Sequence, residues 1–403
     1  MTVLFRNELH DDFGMWPLGY IPYGGADFGE VAAIARAVSD GDDAAFYQAW
    51  VIAADRLAQQ ATETLQNGHR RSARELFVRA SVFYATSYHP LYGNPVDPRL
   101  LAAFRNQVEM LEKGLGLLEP PVRRLQISFG QTPMPAYLIL AVGCEDRVRP
   151  LIIFTNGYDA TMTDMYFASA VAASRRGYHS LLFDGPGQGA MLFEHGIPIR
   201  PDWETVVNAV VDFALTLPLV DPKRIALSGW SLGGYLAPRG ASGEPRLAAL
   251  IADPATWSIV GPLKQMLVHK LGVSPASAAN PGTLDPSVLD RIESVVRANT
   301  GLRWKFINRG FMVHGVTTLR DYLLAVTPFT MEGRAQLIQC PTLLTMAEND
   351  MIAADAPAFY EALRCPKTLM RFSAAEGAGD HCEMYNRSLL NRRALDWLDQ
   401  VLR

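Results

Sequence analysis

Apolar residues recur at steps of three and four positions along residues 46–90, the spacing of amphipathic helices. The segment Asn67-Gly68-His69 interrupts the pattern, as expected just past the end of a helix. A second helix is predicted around residues 73–84, and a third from Pro98 to about Lys113.

These helices belong to a larger N-terminal region, residues 1–120. Before residue 44, Gly- and Pro-rich segments such as PLGYIPYGG predict an irregular arm. A single helix pair cannot bury its own apolar face. The N-terminal region is therefore predicted to be a helical addition that packs on the rest of the chain.

From about residue 123 the pattern changes to short apolar runs that alternate with helical segments. Continuous apolar runs of this length are typical of strands that are buried on both faces. We therefore expect an α/β fold with a mostly parallel, doubly wound sheet that helices cover on both faces. The strands are predicted within RRLQISFG, MPAYLILAV, RPLIIFTNGY, SLLFDGPGQGA, KRIALSGW, RLAALIADPA, CPTLLTMAEND and KTLMRFSAAEGAGDH.

Residues 256–335 separate two strands that would otherwise be neighbours, and so divide the predicted core into residues 121–255 and 336–403. In an open α/β sheet, ligands bind at the carboxyl ends of the strands. The insertion is therefore predicted to be a helical lid that roofs the site and excludes water. The alternative is a helical addition that does not contact the substrate. Three helix-like segments rich in large apolar residues lie in the insertion: 260–272, 288–315 and 319–329.

The composition is that of an ordinary globular protein, with 49% hydrophobic and 19% charged residues. The formal net charge is −4 and no long run of Lys or Arg occurs, so we expect no binding to nucleic acid or to anionic membranes. No apolar stretch approaches the ~20 residues that a membrane-spanning helix needs. The first residues also lack the pattern of a signal peptide. A cytoplasmic protein is expected.

Motifs for cofactors and metals do not occur in the chain. The four cysteines have neither metal-site spacing nor the density of a secreted scaffold. The segment DGPGQGA at 184–190 does not match G-x-G-x-x-G, and it is interpreted as a tight turn after a strand. We therefore expect neither a cofactor nor a metal ion.

The segment Gly229-Trp230-Ser231-Leu232-Gly233 fits the pattern G-x-S-x-G, which marks a sharp turn from a strand into a helix. Such a turn exposes the serine hydroxyl at the edge of the sheet. The pattern alone also arises by chance, but here a predicted strand precedes it and helix-compatible residues follow. Ser231 is therefore predicted to be a nucleophile rather than an ordinary serine between glycines.

A nucleophilic serine needs a general base and an acid that orients the base, in the chain order Ser, Asp or Glu, His. His381 is the candidate base, because it lies in a loop just after the last predicted strand. Asp350 is the preferred acid, since the loop after the penultimate strand reaches the back of the imidazole. Asp253 is the alternative acid, and Glu348 and Asp380 are weaker candidates.

An oxyanion at the substrate carbonyl needs two N–H donors. The N–H of Leu232 is one candidate, at a helix N-terminus that favours negative charge. The N–H of Tyr158 is the other, in the loop that follows the strand ending at Asn156. Asp159 in the same loop has two interpretations: it binds or protonates the substrate, or it caps the following helix.

The segments FTNGYDA, FDGPGQGAM, ALSGWSLGGYLAPRGAS, ADPATWSI, CPTLLTMAENDMI and GAGDHC together resemble the α/β-hydrolase superfamily. Within it they are similar to the branch of 2,6-dihydroxypseudooxynicotine hydrolase, the fungal yellowish-green polyketide-shortening hydrolases and the fermentation-respiration-switch esterases. The N-terminal segment GHRRSARELFVRASVFY resembles the extra helical region of that branch. The resemblance therefore covers nearly the whole chain.

The resemblance implies an α/β-hydrolase fold and a catalytic triad of Ser231, Asp350 and His381. It implies a serine hydrolase that cleaves a carbon–carbon bond next to a ketone, or an ester or lactone. The implied substrate is an aromatic or polyketide-like small molecule. The aromatic residues of the lid and of the N-terminal arm, such as Trp304 and Trp16, separately suggest a mid-sized apolar or aromatic substrate. The resemblance also implies a homodimer, since relatives dimerise through the N-terminal helices.

One loop departs from the pattern of that branch, which often reads Gly-Gly-Leu followed by an acid, whereas here it reads NGYD at 156–159. The exact substrate is therefore not predicted. A second hypothesis keeps the site for a non-hydrolytic cyclase or lyase, and a third makes the chain an inactive binding protein on a hydrolase scaffold. The residues expected to contact the substrate are Asn156, Asp159, Trp230, Trp304, Phe311 and His314.

Overall fold

A single sheet lies at the centre of the structure, and in the described part of the chain it has eight strands. The computed structural model describes residues 2–261, 264, 267–269 and 272–403. Six positions of the predicted helix at 260–272 therefore lie outside the described residues. The strands are β1 (Leu125–Ile127), β2 (Met134–Ile139), β3 (Arg149–Thr155), β4 (His179–Phe183), β5 (Val220–Trp230), β6 (Ala249–Asp253), β7 (Thr342–Ala347) and β8 (Lys367–Phe372).

The strand order is β1-β2-β4-β3-β5-β6-β7-β8. The pairs β1/β2 and β2/β4 are antiparallel, and the other neighbouring strands are parallel. Every residue of β4 and β6 is buried, as continuous apolar strands predict. The predicted α/β fold is confirmed. Parallel pairing brings the carboxyl ends of β3, β4, β5, β6, β7 and β8 to one edge of the sheet.

Helices pack around this sheet. The helix Glu204–Ala214 packs against Gly233–Ala241, and Val171–Arg175 packs against the C-terminal helix Arg387–Val401. The other helices of the core are Met162–Met165, Gly189–Phe193 and Ala356–Ala362, and Tyr166–Ala170 is a π-helix. Short 3-10 helices occur at Ile21–Tyr23, His89–Leu91, Pro281–Thr283, Ala335–Leu337, Met351–Ala353, Ala374–Glu376 and His381–Asn386.

The N-terminal helices share one hydrophobic core with the sheet. The helix Asp43–Gln66 ends before Gly68, whose φ is +83°, so the predicted interruption is confirmed. Trp50 of this helix is fully buried and belongs to the same hydrophobic cluster as Ile152 of β3. The helices of this region are Glu8–Gly14, Trp16–Gly19, Phe28–Val38, Asp43–Gln66, Arg70–Ser87 and Pro98–Leu115.

The predicted irregular arm before residue 44 is wrong, because most of this segment is helical. Pro17 lies in the first turn of the helix Trp16–Gly19, and Pro22 lies in the first turn of Ile21–Tyr23. Proline is tolerated there, since the N–H that it lacks has no partner inside the helix.

The insertion between β6 and β7 is helical and has a hydrophobic cluster of its own, to which Phe311 and Tyr322 belong. The indole Nε1 of Trp304 donates a hydrogen bond to the carbonyl of His89 at 2.7 Å, which joins the insertion to the N-terminal helices. Its helices are Pro275–Ala279, Pro286–Ala298, Thr300–Leu302, Met312–His314 and Leu319–Val326, and Arg303–Phe311 is a π-helix. No helix in the described ranges is long and apolar enough to cross a membrane.

Candidate active site

β5 turns sharply into the next helix, and Ser231 lies at the turn. Its φ is +59°, in the left-handed region that non-glycine residues rarely adopt. The N–H of Ser231 donates to the carbonyl of Asp253, at the end of β6, at 2.7 Å. A Cβ on Gly229 would lie 1.9 Å from the carbonyl oxygen of Gly233. The strand and the helix therefore lie so close together that only glycine fits at position 229. This strained turn is the geometry that projects a serine hydroxyl from the edge of a sheet.

Three side chains from three strand ends form a hydrogen-bonded chain at this edge. His381 Nε2 lies 2.9 Å from Ser231 Oγ, and His381 Nδ1 lies 2.7 Å from Asp350 Oδ2. The other carboxylate oxygen of Asp350, which follows β7, accepts a hydrogen bond from the N–H of Ile352 at 2.9 Å. In such an arrangement the hydroxyl can lose its proton to the imidazole as its oxygen attacks a carbonyl.

The surroundings of His381 favour its protonated form. Burial opposes protonation, but the hydrogen bond and charge of Asp350 and the charges of Asp253 and Asp159 together outweigh burial, so the pKa of His381 is raised. For Asp350, burial opposes ionisation, but the hydrogen bond and charge of His381 together with backbone hydrogen bonds outweigh it and lower the pKa of the carboxyl. The imidazole is therefore a stronger base than a free one. Its side chain is 38% exposed and that of Asp350 is 3% exposed, so the imidazole is accessible and the carboxylate is enclosed.

The loop after β3 lies against the serine. A Cβ on Gly157 would lie 2.7 Å from Ser231 Cβ and 3.2 Å from Leu232 N, so the two backbones are in contact. Within the described ranges, neither the N–H of Leu232 nor that of Tyr158 donates a hydrogen bond. Gln188 holds the loop, since its Nε2 donates to two loop carbonyls, at 2.8 and 3.1 Å. The N–H groups of Leu232 and Tyr158 therefore lie next to the contact between Gly157 and Ser231 and have no acceptor in the described part of the chain.

The alternative acid, Asp253, has other partners. Its Oδ2 accepts a hydrogen bond from Arg387 Nη1 at 2.8 Å, and its Oδ1 accepts one from Thr345 Oγ1 at 2.9 Å. Arg387 and Asp253 are 2% and 4% exposed, so the pair is a buried ion pair. Glu383 is buried beside it, and burial together with the charge of Asp253 raises the pKa of Glu383 well above its usual range. The imidazole Nδ1 is paired with Asp350 instead.

Asp159 binds a cation from the insertion. Its Oδ2 accepts a hydrogen bond from Arg309 Nη1 at 2.8 Å. The Arg309 guanidinium lies over the rings of Tyr158 and Trp304, at 4.3 and 4.9 Å from their centroids. The hydroxyl of Tyr158 is hydrogen-bonded to His314 Nε2, and burial lowers the pKa of His314 to about 3. The insertion therefore meets the loop through a polar cluster, and His314 is neutral in it.

Other polar residues near this loop stabilise the backbone. Asn156 Nδ2 donates to Asp184 Oδ1, at the end of β4, at 2.7 Å. Burial raises the pKa of Asp184 to about 7. Thr161 is the N-cap residue of the helix Met162–Met165, so Asp159 does not cap that helix.

The aromatic candidates Trp230, Trp304 and Phe311 are all buried. The ring of Trp230 lies 6.1 Å from that of Trp16, and the ring of Phe311 lies 6.0 Å from that of Tyr322. Both make ordinary packing contacts there, and their contact with a substrate stays a prediction.

Comparison with known protein families decides where the chain belongs. Residues 152–390, more than half of the chain, match the model of the Alpha/beta hydrolase family. The chain belongs to the alpha/beta hydrolase family. This hydrolase is 32% identical to Hydrolase acrC of Aspergillus aculeatus over 413 residues, covering 95% of this chain and 94% of that protein. It is also 32% identical to 20-hydroxy-prefusarin hydrolase FUS2 of Gibberella moniliformis over 405 residues, covering 95% and 94%.

Solved structures share the fold of this hydrolase over most of its length. The 2,6-dihydroxy-pseudo-oxynicotine hydrolase matches with a TM-score of 0.73 at 22% identity, and the match covers 95% of both chains. AbyA5 matches with a TM-score of 0.62 at 15% identity, covering 98% of this chain and 99% of that one. The resemblance to the superfamily, the fold and the expectation of a hydrolase are confirmed.

Sequence reasoning missed three side chains that hold the site of this hydrolase. Gln188 lies in the turn after β4, and its place at the carboxyl end of a strand was the available signal. Arg309 and Arg387 lie on helices, and each pairs with a carboxylate that is 150 or 134 residues away in the chain. No local pattern marks these long-range pairs.

A cysteine thiol lies beside the imidazole. Cys382 Sγ lies 3.3 Å from His381 Nε2, and burial raises the pKa of this thiol well above its usual range. The thiol is therefore protonated beside the imidazole. Within the described residues, no group of three or more His, Cys, Asp or Glu side chains is placed to hold a metal ion.

Proposed function

We propose that this chain is a serine hydrolase in which Ser231 attacks a substrate carbonyl and His381 takes its proton, while Asp350 orients the imidazole. The hydrogen-bonded chain from the serine through the imidazole to the carboxylate carries the proposal. The raised pKa of His381 supports its role, because the imidazole must hold the proton until the leaving group takes it.

In the proposed first step, Ser231 Oγ bonds to the carbonyl carbon and the carbonyl oxygen becomes an oxyanion. The N–H groups of Leu232 and Tyr158 bind that oxygen. Two observations support this part of the proposal: neither N–H has another acceptor in the described chain, and Gly157 contacts Ser231. Losing one such donor typically costs ~3–4 kcal/mol of transition-state stabilisation.

In the second step, the imidazolium of His381 protonates the leaving group, and water then frees the acyl group from Ser231. If the broken bond is carbon–carbon, the leaving carbanion is stabilised as an enolate before it is protonated. The helical insertion excludes bulk water while the acyl-enzyme forms, which protects the enolate from early protonation.

The proposed substrate is a mid-sized apolar, aromatic or polyketide-like small molecule with a cleavable carbonyl. It contains a carbon–carbon bond next to a ketone, or an ester or lactone. Two observations support this class. The similar FUS2 is named as a hydrolase of 20-hydroxy-prefusarin, and the described insertion is rich in aromatic side chains, including Trp304 and Phe311.

Fluorophosphonate labelling followed by peptide mapping tests the nucleophile. An adduct on Ser231 is expected, and Ser231→Ala should lower kcat by ~10⁴–10⁶. Ser228→Ala, in β5, is the matched serine control and should keep the label. A folded protein without an adduct on Ser231 would contradict the proposal.

A panel of p-nitrophenyl esters, lactones and β-diketones, with product masses recorded, tests the reaction type. Hydrolysis adds one water to the summed mass of the products. Products that contain no added water would favour the cyclase or lyase hypothesis instead.

A further inference from the structure

Arg309 is a charged side chain with unused hydrogen-bond donors. Its side chain is 19% exposed, and in the described part of the chain its guanidinium donates one hydrogen bond, from Nη1 to Asp159. Its Nε is buried and donates to no group there. Buried charges normally have most of their donors satisfied, so this arrangement needs an explanation.

Arg387 shows what a structural buried arginine looks like in the same molecule. Its two terminal nitrogens donate to four acceptors: Asp253, Ser169, and the carbonyls of Cys382 and Ala168. Arg309 has one acceptor in place of four. Both arginines leave a buried Nε without an acceptor, so they differ only in their terminal nitrogens. Those of Arg387 use all of their N–H groups, whereas those of Arg309 use one, toward Asp159, in the described part of the chain.

The guanidinium of Arg309 is nonetheless held in place. It lies over the faces of Tyr158 and Trp304, and the π-helix Arg303–Phe311 carries it. Stacking on aromatic rings fixes the plane of a guanidinium and leaves its edge free for a second partner. π-helical turns are frequent at functional sites.

The position of Arg309 is close to the reacting atoms. Its partner Asp159 lies two residues after Gly157, which contacts Ser231, and two residues span at most about 7 Å. The charge of Asp159 also acts on His381. The edge of the guanidinium therefore lies within the reach of a mid-sized molecule bound at the serine.

We propose that Arg309 is a specificity-determining residue, whose free N–H groups bind a planar anionic oxygen group, an enolate or a carboxylate, on the leaving part of the substrate. The inference rests on the proposed function, since it takes Ser231 as the point of attack. A guanidinium matches such a group because it presents two parallel N–H bonds in one plane.

With a 1,3-diketone as substrate, Ser231 Oγ first bonds to one carbonyl carbon, and the oxygen of that carbonyl becomes the oxyanion. When the carbonyl forms again, the carbon–carbon bond breaks, and the electron pair of the broken bond moves onto the enolate oxygen that Arg309 binds. His381, which took the serine proton, returns that proton to the leaving carbon. Water then cleaves the acyl-enzyme, so one diketone and one water give one ketone and one carboxylic acid.

Ligand binding to the Ser231→Ala variant tests the proposal without turnover. The probes are benzoylacetone, which forms an enolate, its 2,2-dimethyl derivative, which does not, and 3-benzoylpropanoate, a keto acid. Titration calorimetry at alkaline pH gives each Kd. When Arg309→Gln is added to Ser231→Ala, the Kd of an anionic probe should rise about 10- to 100-fold more than the Kd of the dimethyl derivative. Arg309→Lys should recover part of this difference, because it restores the charge.

Two controls keep the test specific. Arg320, which donates to the carbonyls of Gly282 and Leu284 inside the insertion, is the matched arginine, and Arg320→Gln should leave the ratio of Kd values unchanged. Urea unfolding verifies that each variant is folded. Equal weakening of all three probes by Arg309→Gln, or none, would overturn the proposal. Its failure is distinct from failure of the proposed function, which labelling of Ser231 tests separately.

Discussion

Replacing Asp350 with Asn is expected to lower kcat by about 10⁴, or about 5.5 kcal/mol of transition-state stabilisation. In the structure Asp350 Oδ2 faces His381 Nδ1 at 2.7 Å, while its other oxygen accepts the N–H of Ile352. An amide that keeps its oxygen on Ile352 turns its NH₂ group toward Nδ1. The imidazole then carries its proton on Nε2, where it cannot accept the proton of the serine.

Replacing Asp253 with Asn is expected to act on stability instead. Arg387 is 2% exposed, and the change removes its negative partner. Breaking a buried ion pair in this way costs about 3–5 kcal/mol of unfolding free energy. The carboxyl of Glu383 lies beside the pair and can ionise in place of Asp253, which reduces the loss. The Asp253→Asn/Glu383→Gln double variant removes this compensation and should be less stable than Asp253→Asn alone.

The assay combines urea unfolding, which gives the free energy of unfolding, with kcat normalised to the folded fraction. Asp380→Asn is the control, because it removes an exposed carboxylate next to His381 in the chain. It should change neither quantity appreciably. The reasoning is refuted if folded Asp253→Asn loses about 10⁴ in kcat and Asp350→Asn does not.

Three further predictions concern the same site. Because only the neutral imidazole accepts the serine proton, kcat/KM should fall as the pH drops through the raised pKa of His381. The midpoint of this acid limb should lie above about 6.5, the pKa of a free imidazole. A measured midpoint at or below that value would contradict the prediction. Gln188→Leu frees two loop carbonyls and should lower kcat about 10- to 100-fold in steady-state assays with little change in KM. Gly157→Ala places a Cβ 2.7 Å from Ser231 Cβ and should slow fluorophosphonate labelling about 100-fold, whereas unchanged labelling would show that the loop can move away.

The sharp turn at Ser231 and the hydrogen-bonded chain from Ser231 to Asp350 could be predicted because their causes are local or topological. The glycines that permit the close turn at Ser231 are its near neighbours in the chain. His381 and Asp350 each follow a strand, and the carboxyl ends of parallel strands share one edge of the sheet. The preference for Asp350 over Asp253 follows from the place of Asp350 after the penultimate strand, whereas the pairing of Asp253 with Arg387 needed coordinates, since both aspartates lie at that edge.

The polar contacts that hold the site could not be predicted in this way. Arg309 and Arg387 have the sequence surroundings of ordinary surface residues on helices, and their partners are more than a hundred residues away in the chain. Gln188 lies in a turn whose glycines already explain the shape of the backbone, so nothing in the sequence indicated a role for the Gln188 side chain. The helical arm around Pro17 was missed because a proline in the first turn of a helix looks the same in sequence as one in a loop.

The three aspartates whose charges act on the imidazole differ in the cation that each one binds. Asp253 binds Arg387 and Asp159 binds Arg309, and a guanidinium keeps its proton throughout the working range of pH. Only Asp350 binds the group that gains and loses a proton near neutrality. The first two carboxylates therefore keep a constant charge that favours the imidazolium. In the proposed reaction, Asp350 alone is hydrogen-bonded to the group that gains and loses the proton. Removing either arginine leaves its aspartate without a cation and should consequently shift the acid limb of the pH profile to higher pH, whereas Asp350→Asn should lower the activity itself by about 10⁴.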